Sequence, residues 1–525
     1  MPYLPRRRTL LPALAVCLAV LPCAAAALAV PPPPADRADR FGVYHWGADY
    51  SAWPGSPDRL NWGADRVAAL GSRTLRVFLG GSEFYDVNPE PNARNDGFLR
   101  RIAAAPAYRR LFRDPRFRTY LLTVYPSAAF AVWRDGLDPA EAASEREQVA
   151  RLGAALLADP AHAGKSFIVL NWEGDHATAA LAADDPLWDD FAAWIEARAA
   201  GVRDARARVP GSAARLYSGL EFNFVEERSE AAGRNVRCGE AGTRCVIDAV
   251  APRVKVDYYS YSAWQSLNVK LAAPQASLRD RLGADLAFAL RAVRARRPQV
   301  TAANFILGEV GFARSLYGEC AAARYLDEAL AAAEAADVSY AVVWQALDNR
   351  WRVEDGPTRT LTSCDAPDWL LYGLHRGDDG GRTLLGATFT AFLQGGAAVL
   401  PARCPRIVAG GVQNPAAPGS ARFTPGSPLA VLGSGFSPAG NRVHVLQAHV
   451  VGDDVPDPNV RLTLAPAAGG APWAESRRRI ETALPREPLH DGCALVWVTT
   501  AEGIDSNGRL VWIRAPAQPQ PDKGD

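Results

Sequence analysis

The 525-residue chain carries little net charge, 58 Lys and Arg against 57 Asp and Glu. That balance gives no electrostatic case for nucleic acid or an anionic membrane as a partner. Its seven histidines are scattered, and neither Cys-x-x-Cys nor His-Glu-x-x-His occurs, so no metal site is expected. No Gly-x-Ser-x-Gly elbow is present to anchor a serine hydrolase. Residues 159–166 imitate the end of a phosphate-binding loop but lack its first glycine and precede a strand rather than a helix. No cofactor is therefore expected. After the N-terminal segment, no apolar run is long enough to span a bilayer.

What is present begins with an export-like segment. Arg6, Arg7 and Arg8 precede an apolar run from Leu10 to Leu21, and Ala27-Leu28-Ala29 offers small residues for cleavage. Residues 1–29 thus read as a signal peptide, which predicts a secreted or periplasmic protein and moves the formal charge from +1 to about −2. Six cysteines remain: Cys238, Cys245, Cys320, Cys364, Cys404 and Cys493. An even number in an exported chain predicts disulfides. Of the 15 possible connectivities, sequence order suggests 238 with 245, 320 with 364 and 404 with 493. A Pro-rich linker over 30–40 leads into the folded part.

Strand-like runs then alternate with helical ones over 41–398. Eight strands are read, at 41–49, 73–81, 118–126, 166–175, 215–225, 255–264, 304–312 and 340–349. The helical spacing of apolar residues is clearest at 139–159, 187–208, 278–296 and 321–336. Eight units predict a (β/α)8 TIM barrel. A doubly wound sheet would also alternate, but the chain lacks a Gly-x-Gly-x-x-Gly turn after the first strand. From about 399 to 515 the helical periodicity ends and Pro, Gly, Val and Thr dominate, which predicts an all-β module before a tail at 516–525.

Two strand ends stand out. Phe167-Ile-Val-Leu-Asn-Trp-Glu-Gly-Asp175 closes an apolar run with Asn171, Glu173 and Asp175, and Asn304-Phe-Ile-Leu-Gly-Glu-Val-Gly-Phe312 closes another with Glu309 between glycines. Polar residues at the carboxyl ends of barrel strands are where such folds build sites. Two carboxylates there suffice for glycoside hydrolysis. Glu221 and Asn223 end the fifth strand, His45 and Asp49 share a face of the first, and Trp46, Trp264 and Trp344 offer flat apolar surface for sugar rings.

In this pattern the chain resembles the clan A glycoside hydrolases. The resemblance rests on Glu173 after the fourth strand, Glu309 in Leu307-Gly-Glu-Val-Gly311 after the seventh, Arg76 in Leu75-Arg-Val77, Tyr261 on the sixth strand and Trp344 on the eighth. It implies a retaining enzyme acting on β-linked carbohydrate, expected as a monomer. Glu173 would be its acid/base and Glu309 its nucleophile, with Tyr261 hydrogen-bonded to Glu309, Arg76 supporting it and Trp344 flooring the sugar site. The family places Asn immediately before the acid/base, whereas Trp172 intervenes here between Asn171 and Glu173. Asp175 or Glu221 therefore stays open as proton donor, which would fit an inverting enzyme. A carbohydrate-binding or adhesion protein on the same scaffold stays open as well. The stretches Leu429 to Asn441 and Val496 to Asn507, with Gly-Ser-Gly-Phe436 and Gly-Ile-Asp-Ser-Asn507, resemble the IPT/TIG type of immunoglobulin-like domain, which implies a β-sandwich.

Overall fold

A computed structural model describes residues 30–47, 50–79, 85, 98–124, 132–267, 278–349, 352–353, 371–398, 400–418, 420–447, 449–450, 460–465, 474–489 and 492–514. The signal-like segment, Asp49, Cys364 and the tail lie outside them.

Eight strands close a parallel barrel in sequential order. They are β1 (Phe41–His45), β2 (Thr74–Leu79), β3 (Thr119–Val124), β4 (Ser166–Leu170), β5 (Arg215–Phe222), β6 (Tyr258–Ser262), β7 (Phe305–Val310) and β8 (Tyr340–Trp344). Each is a short, nearly unbroken buried run, as strands covered on both faces require. Alternation sorts their side chains. Leu121, Ile168, Tyr258, Ile306 and Val342 fill the interior, while Tyr120, Val169, Tyr259, Leu307 and Val343 meet the surrounding helices.

Some of the helices start where their sequences supply caps. Pro139–Ala158 opens on a capping box: Asp138 accepts from the Ala140 amide at 2.6 Å, and Glu141 accepts from the Asp138 amide at 3.1 Å. This helix packs on Leu187–Arg208 through a buried Arg198–Glu145 pair at 2.8 Å. Arg198 also donates to the carbonyls of Val124 at 2.8 Å and Leu170 at 3.1 Å, fixing the ends of β3 and β4 from the helix layer.

Past residue 400 the chain becomes all-β. One sheet orders Arg406–Gln413, Pro428–Ser434, Arg479–Ala483 and Ala474–Glu475; the other orders Arg422–Phe423, Arg509–Ile513, Gly492–Thr499, Arg442–Gln447 and Val460–Leu464. Ile407, Val431, Val445 and Val496 belong to its apolar core.

Cys238 pairs with Cys245, inside the excursion that follows β5. The other expected pairings are corrected. Cys320 bonds Cys404 across 84 residues, tying the helix after β7 to the start of the β domain. Sequence neighbours were the wrong guide there because the β domain folds back onto the barrel. Cys493 is also disulfide-bonded.

Candidate active site

The barrel interior is built on Arg76, which projects inward from β2 with no solvent exposure. Its Nη1 lies 2.7 Å from Glu221 Oε2, and Nη2 donates to Glu221 Oε1 at 3.0 Å. Its remaining donors reach Thr123 Oγ1 at 3.2 and 3.1 Å and the Gly308 carbonyl at 3.0 Å, over the Tyr44 ring at 4.3 Å. Glu221 in turn accepts from Ser260 Oγ at 3.1 Å and from the Glu173 amide at 3.1 Å. Charges this deep persist only when their hydrogen-bonding capacity is met, and here it is.

Asn171 extends the sheet beyond its backbone. Its Oδ1 accepts from the Glu221 amide at 2.7 Å and its Nδ2 donates to the Glu221 carbonyl at 3.2 Å, so a side chain replaces the ladder where β4 ends. The main chain is thereby free to turn, and β4 stops at Leu170 rather than running on to Asp175. Glu173 follows in the left-handed region, φ 42° and ψ 64°, at the start of the short helix Gly174–Thr178. A non-glycine residue there costs about 1–2 kcal/mol. Its amide bond to Glu221 is one restraint that holds it.

Glu309 reaches the same space by a different device. The pairing of β7 with both neighbours slips just before it, with Tyr261 opposite Leu307 but Ser262 opposite Glu309. This bulge turns inward a side chain that strict alternation would send outward. Gly308 makes room at the bulge, since a Cβ there would meet Ser260 Oγ, Glu221 Oε2 and Arg76 Nη1. Glu309 is 2% exposed, accepts from Trp264 Nε1 through Oε2 at 2.9 Å, and has Arg76 Nη1 3.5 Å from Oε1. Among the described residues Oε1 closes no hydrogen bond, though the neighbouring Ser262 hydroxyl is near enough to favour its ionised form.

The two glutamates hold protons unequally. Burial pushes Glu173 up to about 9, reinforced by the charges of Glu309 and Glu221 and opposed by Arg76. Burial raises Glu309 to about 7; Arg76 opposes this, Glu221 adds to it, and Trp264 draws it down. Glu309, closer to Arg76 and bonded by Trp264, ionises first, and Glu173 keeps its proton.

An arc of aromatic rings joins these groups. Trp46 lies 5.3 Å from Trp344 and 6.2 Å from Trp172, and Trp264 lies 6.2 Å from Trp344 and 5.7 Å from Tyr372. Trp46, Trp172 and Trp264 are partly exposed, whereas Trp344 is 5% exposed and its Nε1 makes no hydrogen bond among the described residues.

Several expected site residues lie elsewhere. Tyr261 does not bond Glu309: it faces the helix layer, stacks on Phe222 at 5.1 Å and shares a 2.9 Å hydrogen bond with Ser266. Strand parity places Ser260 and Ser262 inside instead, and Trp264, one turn further on, serves Glu309. His45 also faces outward. It is held against the helix Arg59–Ala69 by the Arg59 carbonyl at 3.2 Å, and burial lowers it to about 4. Asp175 accepts from the amides of Asn223, Phe224 and Val246 at 2.6, 3.0 and 2.7 Å, so it staples loops together. Asn223 returns that contact, its Oδ1 accepting from the Asp175 amide at 3.4 Å. Ser260 and Thr123, which position Glu221 and Arg76, went unnoticed in the sequence; the Ser-x-Ser alternation within an aromatic strand was the available signal.

No family model and no curated protein sequence matches this chain. Among solved structures it is similar to a family 1 β-glucosidase from Thermotoga maritima, at 13% identity and TM-score 0.42, over 69% of this chain and 98% of that one. It is also similar to a hyperthermophilic endo-β-1,4-glucanase, at 10% identity and TM-score 0.37, over 68% of this chain and 97% of that one.

Two outcomes follow from this geometry. Gly308→Ala forces a methyl against the Arg76–Glu221 pair and lowers stability by about 3 kcal/mol, read as a fall in denaturant midpoint. The second concerns pH. Because Glu173 binds its proton more tightly in the folded state than its ordinary 4.5, its contribution is intact below that value and is lost as pH rises toward about 9. Glu173→Gln removes that loss, so its melting temperature exceeds the parent's by a margin near zero at pH 4.5 that grows to a few degrees by pH 9.

Proposed function

We propose that the barrel is a retaining glycoside hydrolase that cleaves a β-glycosidic bond in an oligo- or polysaccharide. The observation that carries this reading is the pair Glu173 and Glu309, two carboxyls at different strand ends whose surroundings order their proton loss. Glu173, protonated at neutral pH, donates to the departing glycosidic oxygen. Glu309 attacks the anomeric carbon, and its Oε1, which closes no hydrogen bond among the described residues, is the atom suited to form the glycosyl bond. Arg76 and the Trp264 N–H favour its ionised form. Water then hydrolyses the ester, giving its proton to the Glu173 carboxylate and restoring both groups. The aromatic arc supplies flat faces on which pyranose rings pack.

The involvement of Asp175 and Glu221 elsewhere supports Glu173 as the donor. Asp175 is taken up by three amides, and Glu221 by Arg76, Ser260 and the Glu173 amide. That also weighs against an inverting partnership using either. Asn171 acts through the backbone of Glu221 in this scheme, and Trp344 floors the sugar site. We assign the exported location from the N-terminal segment and the disulfides, and the immunoglobulin-like sandwich from the two sheets of the C-terminal domain.

A panel of polysaccharides assayed for new reducing ends tests the proposal. Glu309→Gln lowers kcat about 1000-fold or more on every substrate cleaved. Glu173→Gln lowers it about 100- to 10000-fold, because deglycosylation loses its base, but spares kcat/KM for aryl glycosides whose leaving group needs no proton. The parent's kcat/KM is bell-shaped in pH, rising as Glu309 ionises near 7 and falling as Glu173 ionises near 9. Retained affinity for a polymer with no cleavage would instead identify a carbohydrate-binding protein.

A further inference from the structure

The turn Glu502-Gly-Ile-Asp-Ser-Asn-Gly508 of the β domain works in two directions. Ser506 and Asn507 fasten it to their own domain. Ser506 Oγ accepts from the Val498 amide at 2.9 Å, and the Asn507 amide group bridges the N–H and carbonyl of Ile407 at 2.8 and 3.1 Å. Asp505 and Gly508 reach out to the barrel. The Gly508 amide donates to the Ser315 carbonyl at 2.7 Å, and Asp505 Oδ2 accepts from Arg314 Nε at 3.0 Å.

Arg314, 1% exposed, carries that contact to the loop after β8. Its other nitrogens pair with Asp348 at 2.8 and 2.9 Å, and its amide donates to the Leu371 carbonyl at 3.1 Å. Asp348 accepts from the amides of Gly373 at 3.0 Å and Gly377 at 3.2 Å. Tyr372 is thus held from both sides. Leu371 itself sits at φ 52°, a strained conformation for a branched residue, with its side chain among Leu446, Leu495 and Trp497 of the β domain. Tyr372 is the ring that meets Trp264 edge-on at 5.7 Å, and Trp264 donates to Glu309.

We propose that the C-terminal β domain is a positioning part of the active site: through Asp505 it holds the 371–383 segment in the shape that seats Tyr372 behind Trp264. It is not a separable appendage. The consequence for Glu309 rests on the glycosidase reading; the clamp itself does not.

Asp505→Asn in the full-length protein tests this, because it removes a charge while keeping shape. Amide hydrogen exchange followed by mass spectrometry reports the clamp without any substrate. Exchange across 371–383 accelerates about tenfold or more, while peptides from β3 and β4 keep the parent's protection. In parallel, kcat falls about tenfold with a smaller change in KM, and the rising limb of the pH profile moves to higher pH as Trp264 loosens from Glu309. Unchanged exchange across 371–383 in a folded Asp505→Asn protein overturns the proposal, whatever the activity does. Should that variant fail to fold, Arg376→Gln asks the same question. Arg376 is partly exposed and donates to the Gly503 carbonyl at 2.6 Å beside Asp505, and the same two exchange outcomes decide. Faster exchange in a protein whose parent cleaves nothing on the panel leaves the clamp standing and removes the glycosidase reading instead.

Discussion

The Arg76–Glu221 ion pair is the constraint around which this barrel is arranged. Two opposite charges withdrawn completely from water are costly unless each remaining donor and acceptor is met, and meeting them recruits four other strands. Thr123 of β3 and Gly308 of β7 satisfy the guanidinium, Ser260 of β6 the carboxylate, and Asn171 beyond β4 holds the backbone beneath it. Because Glu221 also binds the Glu173 amide, the group that neutralises the arginine sets the turn presenting the second carboxyl. Structural and chemical roles meet in one side chain.

This arrangement also settles how the arginine's charge is divided. Glu221 takes it at 2.7 Å and leaves Glu309 a contact at 3.5 Å. A carboxylate fully paired with a cation would be a weaker base with a lower affinity for protons; one that is half paired, buried and close to a second anion stays near neutrality. Trp172 stands between Asn171 and Glu173. The extra residue lets Asn171 serve the ladder while Trp172 joins the aromatic arc.

The eight barrel strands, and the carboxylates at the ends of the fourth and seventh, were legible because short buried runs followed by polar residues leave a strong local pattern. Tyr261 was misplaced because parity within an all-polar and aromatic strand leaves no hydrophobic contrast to read. Glu309 was found by its glycine neighbours although simple alternation would have pointed it outward; the bulge that reverses it arises from pairing with two other strands, which no local pattern encodes. Cys320 with Cys404 escaped for the same reason, since it depends on how two domains meet.

The position of Asp505 along the chain has a temporal meaning. Its partner Arg314 is 191 residues upstream. At synthesis rates of about 5–20 residues per second, the arginine waits roughly 10 to 40 s for its counterion. For most of that interval the barrel has its strands but not the anchor for its final loop. Completion of the face that carries Glu173 and Glu309 is therefore deferred until the β domain has been made.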